Sequence, residues 1–134
     1  MGDDCIFCAI AAGEGPAAML DEDEHTVAFL DINPWTRGHA LVIPRAHSRD
    51  LLEIEDADLA ATATAAKRLA ARLKDRLDAD GVNLVNACGA AAWQTVFHFH
   101  IHVIPRYEDD PLQLPAVPQQ ADPGVLAALA EELR

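Results

Sequence analysis

Three histidines alternate with apolar residues in the run His98-Phe99-His100-Ile101-His102, and two cysteines stand three apart at Cys5 and Cys8. In an extended strand, alternate side chains share a face. The stretch from Val96 to Ile104 is therefore expected to show Val96, His98, His100, His102 and Ile104 on one side. Phe97, Phe99, Ile101 and Val103 fall on the other, as a packed core face. Imidazoles in a row each need polar partners, which makes them costly as filler. Alternate residues are roughly 6.5–7 Å apart, so His98 and His102 are roughly 13 Å apart and all three cannot ligate one metal. Adjacent members could share a metal that activates water. Alternatively, one could attack phosphorus while its second ring nitrogen is held by an acceptor that fixes the tautomer. Just upstream, the amide of Gln94 and the hydroxyl of Thr95 suit phosphate oxygens without adding charge, and they suit a strand-entry turn equally well.

The elements that must position these residues are legible in outline. Residues 5–12 read as a short helix stopped by Gly13, Gly15 and Pro16. Val27–Leu30 reads as a strand after an acidic turn at 21–24, and His39–Ile43 as a second strand ended by Pro44. From Asp56 to Leu77, the residues Leu59, Ala63, Ala66, Leu69, Leu73 and Leu77 recur at helical spacing, predicting one long amphipathic helix ended by Gly81. Val82–Asn86 and Val96–Ile104 are further strands, the latter closed by Pro105, with a loop of small residues and Trp93 at 87–93 between them. Prolines at 111–118 imply an extended arm. Pro123–Leu133 closes the chain as a helix, with Asp122 as its N-cap and Pro123 at its first position. Strands joined by short links, with the helices apart, predict an α+β fold on an antiparallel sheet.

Composition narrows the function. The 134 residues fit one domain that needs no disulfides. Ten Lys and Arg against 22 Asp and Glu leave a net charge of −12. Such a field repels nucleic-acid polymers and anionic membranes, while a small anionic nucleotide can still be held by a few local donors. No apolar run approaches a membrane span, and the acidic Met1-Gly2-Asp3-Asp4 start is unlike an export signal, so a cytoplasmic location is expected. The cysteines, with Cys88 standing alone, make no disulfide framework. In a reducing compartment, Cys5 and Cys8 read as metal-binding or redox, or simply as buried packing.

His98-Phe99-His100-Ile101-His102-Val103-Ile104, with its lead-in Gln94-Thr95-Val96-Phe97, resembles the signature of the histidine-triad (HIT) family. Two upstream blocks, Phe29–Pro34 and Gly38–His47, resemble the family's other conserved-looking segments, and the likeness spans about residues 5–107. It points to the nucleotide-binding branch in its zinc-containing bacterial form. The resemblance implies a HIT-like fold: a five-stranded antiparallel sheet with one long helix and one or two short ones, two copies joining into a ten-stranded sheet. Residues 1–107 would form this domain, and 108–134 an arm and short helix packing on the same domain or on the dimer. The implied activity is hydrolysis or transfer at a nucleotide α-phosphate through a nucleotidyl-histidine. By motif position, His100 is the implied nucleophile, His102 the phosphate donor and His39 the supporting histidine from a neighbouring strand. Asp31 matches the carboxylate that accepts from both ribose hydroxyls. Phe7, Ile10, Phe29 and Ile32 match an apolar slot for a purine base, and Thr95 matches a residue contacting phosphate or leaving group. Each apolar position would also serve as ordinary core. The chain departs from the family at 87–93, where Trp93 stands in place of a glycine. That is expected to narrow or reshape the leaving-group side of the pocket and to unsettle Asn86 as a leaving-group contact.

Within the superfamily, a C-x-x-C, the histidine after the Val-Ile-Pro strand and the first triad histidine form a zinc site. Here those positions are Cys5, Cys8, His47 and His98, a Cys₂His₂ set suited to a closed structural Zn²⁺ site, with no organic cofactor expected. Three functions stay open at this point. One is the nucleotide hydrolase or transferase, a homodimer acting on a phosphoramidate or dinucleoside polyphosphate. The others are a metal-dependent hydrolase using His-x-His ligands, and a non-catalytic nucleotide sensor or scaffold.

Overall fold

The computed structural model describes residues 4–114 and 116–134. Five strands, β1 (Met19–Glu22), β2 (Thr26–Leu30), β3 (Ala40–Pro44), β4 (Gly81–Val85) and β5 (Ile101–Arg106), form one sheet in the order β1-β2-β3-β5-β4. Every neighbouring pair is antiparallel. Three helices accompany it: α1 (Ile6–Ala11), α2 (Asp56–Arg76) and α3 (Pro123–Leu133).

Helix α2 covers one face of the sheet. Its buried stripe of Thr62, Ala65, Ala66, Leu69 and Leu73 packs on Ala40, Val42, Phe99, Ile101 and Val103. Asp56 and Asp58 in its first turn and Lys74 and Arg76 in its last complement the helix dipole. The expected terminator, Gly81, is not what ends it. Asp78 adopts a left-handed conformation (φ 53°) two residues past the helix, and Gly81 instead opens β4. Aspartate tolerates that region better than most residues because its short polar side chain can hydrogen-bond locally. On the opposite face, α1 brings Phe7 and Ile10 onto Val27, Phe29, Leu41 and Ile43 in a second, smaller core.

Two strand expectations need correction. The acidic stretch at 21–24 is not all turn: Asp21 and Glu22 belong to β1, an edge strand with a register irregularity between Met19 and Asp21. Its charges are held from α2 and from Arg45, just past β3. Arg68 bonds Asp21 and Asp23, Arg72 bonds the Leu20 carbonyl, and Arg45 bonds Glu22. A charged edge of this kind also discourages pairing with other chains. The histidine run, for its part, enters the sheet only at Ile101, and Pro105 does not close it, since β5 runs on to Arg106 beside Gly81 and Val82. Residues 96–100 are held without ladder partners, by Phe99 N–H donating to the Ser48 carbonyl (2.8 Å) and Asn86 Nδ2 donating to the His100 carbonyl (2.9 Å). Alternation persists where packing enforces it, with Phe99, Ile101 and Val103 buried, but Phe97 is 44% exposed instead of lying in the core.

After β5, Arg106 forks onto Asp110 (2.8 and 2.9 Å) and the chain leaves the sheet. Helix α3 begins as expected, Asp122 accepting from Val125 N–H (3.2 Å) with Pro123 in the first turn, and none of its residues is buried against the rest of the chain. Among the described residues, no helix is long and apolar enough to cross a membrane.

Candidate active site

On the α1 side of the sheet lies an open cavity of about 880 Å³, a size that suits a nucleotide. Its wall includes Phe7 and Ile10 from α1, Phe29 from β2, Asp31 and Ile32 just beyond β2, and Thr95, His100 and His102. Phe7 is central: its ring meets Phe29 edge-on at 5.5 Å and His100 at 5.2 Å. Ile32 sits at the rim, 85% exposed. Phe7, Ile10 and Phe29 are buried, since the second core and the cavity wall share them.

Hydrogen-bond partners assign the tautomers of four histidines. His98 donates Nε2–H to the Pro44 carbonyl (2.8 Å), leaving the Nδ1 lone pair toward the cysteines. His100 donates Nδ1–H to the His98 carbonyl (2.7 Å), so its Nε2 carries the free lone pair. His39, buried behind the cavity, accepts at Nδ1 from the Trp35 backbone N–H (3.0 Å) and so must donate at Nε2. That proton meets His102 Nδ1 at 2.9 Å, with Asp31 Oδ2 3.5 Å from the same His39 nitrogen. His102 is thereby left with Nε2–H as a donor. The triad members thus differ in chemistry: His100 offers a lone pair and His102 a proton.

Burial keeps these rings neutral. It lowers the pKa of His98, of His100 and of His39, and with the neighbouring His100 and His39 it brings His102 down to about 4. A neutral imidazole is what both a nucleophile and a metal ligand require.

Cys5, Cys8, His47 and His98 converge at the N-terminus of α1. His47 Nδ1 lies 3.2 Å from His98 Nδ1, and the sulfur–nitrogen separations are 3.4 Å (Cys5–His98), 3.5 Å (Cys8–His98) and 3.3 Å (Cys8–His47). Four ligands at zinc bond lengths on a tetrahedron stand about 3.3 Å apart for nitrogen pairs and about 3.6 Å for sulfur–nitrogen pairs. The donor set therefore fits Zn²⁺ in both chemistry and spacing. Burial, followed by the adjoining Cys5 thiol, pushes Cys8 up to about 11, so a cation is what would ionise Cys8 near neutral pH.

Other expected residues are placed differently. Gln94 does not line the cavity; its amide is a brace, accepting from Gly89 N–H (2.7 Å) and donating to the Arg49 (2.8 Å) and Val96 (3.0 Å) carbonyls. Trp93 does not narrow the cavity. It takes the left-handed conformation at φ 77° that a glycine would take, and its side chain is 69% exposed. Asn86 acts from behind, holding the His100 carbonyl, while its Oδ1 is buried without a partner. Trp35 was not singled out by sequence, because an aromatic residue in a loop carries no local signal of what it stacks on.

Comparison with known proteins fits this geometry. A family model described as HIT domain matches residues 12–109. The protein hit of Bacillus subtilis is 44% identical over 105 residues, covering 78% of this chain and 72% of that one. A zinc-bound histidine triad family protein from Mycobacterium smegmatis superposes with a TM-score of 0.80 at 42% identity, over 98% of this chain and 97% of that one. A histidine triad nucleotide-binding protein from Candida albicans does so at 0.85 and 35% identity, over 97% and 94%.

Proposed function

This chain belongs to the HIT family, and on that premise we propose that it is a nucleotide-binding hydrolase or transferase working at the α-phosphate through His100. The observation that carries this reading is the His100 Nδ1–H bond to the His98 carbonyl, which leaves Nε2 unprotonated on a residue lining the cavity. Nε2 attacks phosphorus, and the new N–P bond forms as the bond to the leaving group breaks. Water then cleaves the N–P bond, releasing the nucleoside monophosphate and restoring the imidazole; a second nucleophile in place of water makes the reaction a transfer. His102 Nε2–H donates to a phosphate oxygen, where charge accumulates in the transition state. Asp31 accepts from the ribose cis-diol, its carboxylate held by Asn33 N–H donating to Oδ1 (2.8 Å). Phe7, Ile10, Phe29 and Ile32 take a purine base, and Thr95 contacts the phosphate or leaving group.

Cys5, Cys8, His47 and His98 would hold a structural Zn²⁺, in keeping with the zinc-bound relative. Its place between α1 and His98 ties the cavity wall to the backbone that orients His100. The chain is a homodimer through β4 in this reading. The outer edge of β4 is open with Leu84 half exposed, whereas the other edge, β1, is guarded by charge. A cytoplasmic location suits this reading, since the free Cys5 and Cys8 thiols that would hold zinc persist in a reducing compartment.

Steady-state hydrolysis of an adenosine phosphoramidate tests the assignment. Replacing His100 by Ala abolishes turnover while the metal content stays intact. Unchanged turnover in that variant, or loss of chemistry on metal removal with His100 present and the fold retained, would instead favour a sensor or a metal-dependent hydrolase.

A further inference from the structure

The loop from Asp31 to His39 is clamped at more points than a connection needs. Thr36 Oγ1 donates to the Pro105 carbonyl, the Tyr107 hydroxyl donates to the Arg37 carbonyl (2.8 Å), and Asp31 N–H donates to the His39 carbonyl (3.0 Å). Gly38, at φ 90°, lies so close to Leu77 and Pro105 that any side chain there would be strained and would displace the Leu77 terminus. What these clamps hold in place is Trp35. Its indole lies parallel to the His102 imidazole, with centroids 5.3 Å apart and planes 14° apart, and it leans on His39 at 5.0 Å and 54°. Trp35 is not part of the cavity wall, so it backs the ring from outside and leaves the substrate side clear.

We propose that Trp35 is a positioning residue for His102, its stacked indole and backbone N–H together holding His102 in the orientation and tautomer that aim Nε2–H at the phosphate. This rests on the reading of His102 as the phosphate donor. The backbone N–H sets the His39 tautomer and could come from any residue; the stack is particular to the aromatic side chain. An imidazole free to rotate about its χ2 would break the 2.9 Å bond to His39 Nε2 and lose the single tautomer that bond imposes. The indole removes that freedom and shields the bond from water on its open side.

The test compares Trp35→Phe, which keeps an aromatic plane, with Trp35→Leu, which keeps bulk but not the stack. For an adenosine phosphoramidate, Trp35→Leu is expected to lower kcat roughly tenfold or more with KM within about twofold of wild type, and Trp35→Phe to keep most of kcat. In histidine-labelled protein, the ¹⁵N shifts of His102 are expected to be those of one tautomer in wild type and Trp35→Phe, and of an average in Trp35→Leu. Wild-type kcat and His102 shifts in Trp35→Leu overturn the proposal, as does a lower kcat with the His102 shifts unmoved. If the wild-type protein turns over no phosphoramidate, the functional reading fails on its own, and the tautomer spectra still decide what Trp35 does.

Discussion

Replacing Gly38 by Ala puts a number on how tightly the loop behind the site is held. A Cβ built there meets Leu77 Cδ1 at 2.3 Å and Pro105 Cγ at 3.3 Å, and φ is 90°. The positive φ costs an L-residue about 1–2 kcal/mol. Pushing the Leu77 terminus aside costs about 1 kcal/mol more, at the low end for overpacking because a side-chain tip can move. The lower entropy of alanine in the unfolded chain returns about 0.4–1 kcal/mol. The balance is a destabilisation of about 2 kcal/mol, which for a chain of 134 residues lowers Tm by roughly 7 °C. Urea unfolding at fixed protein concentration reads it directly, because an associating protein's stability depends on concentration. Adding Leu77→Ala should recover the steric part alone, giving a double variant about 1 kcal/mol more stable than the sum of the single effects. A Gly38→Ala loss under about 0.5 kcal/mol with full additivity would refute this account of the loop.

Other perturbations have equally definite outcomes. Truncating Leu69 to Ala, a residue 1% exposed between α2 and the sheet, is expected to cost about 2–5 kcal/mol in urea unfolding. Chelation of zinc-loaded protein, or Cys8→Ser, is expected to lower Tm and weaken nucleotide binding together, because two of the cluster's ligands, Cys5 and Cys8, cap and lie in the same short helix as Phe7 and Ile10; calorimetry and metal analysis check both. His102 titrates near 4 when folded and about 6.5 when unfolded, so the unfolded chain takes up the proton first. Stability from this group is complete above about pH 6.5 and is lost as pH falls toward 4, and the fall measured by urea midpoints should be shallower in His102→Asn.

Sequence reading went furthest where one physical signal dominates. Helix α2 came from an apolar stripe that holds at Leu59, Ala66, Leu69, Leu73 and Leu77 but not at Ala63, which is exposed while Thr62 and Ala65 are buried; the start of α3 came from Asp122 and Pro123. The metal cluster was foreseen only through family likeness, since nothing in the spacing of Cys5, Cys8, His47 and His98 says that three distant segments meet. The misreadings share a cause. Edge strand β1 carries Asp21 and Glu22 because one side of it faces solvent and arginines, and such residues look like a turn. Alternation through residues 96–104 reports which faces are apolar and is blind to whether a partner strand exists, so the late start of β5 and the exposure of Phe97 were hidden. Gln94, Asn86 and Trp35 act through tertiary partners at 45, 14 and 67 residues' separation, beyond any local pattern.

What the fold adds to the histidine row is inequality. His98 faces the cysteines, His102 is a donor fixed through His39, and His100, lining the cavity, keeps a free lone pair there. The most direct test is acid-quenched intact-mass analysis with a panel of adenosine and guanosine phosphoramidates and dinucleoside polyphosphates, followed by peptide mapping. The account predicts a nucleoside monophosphate adduct on His100 that is absent from His100→Ala. An adduct on another residue, or turnover with no adduct under any quench, would contradict it.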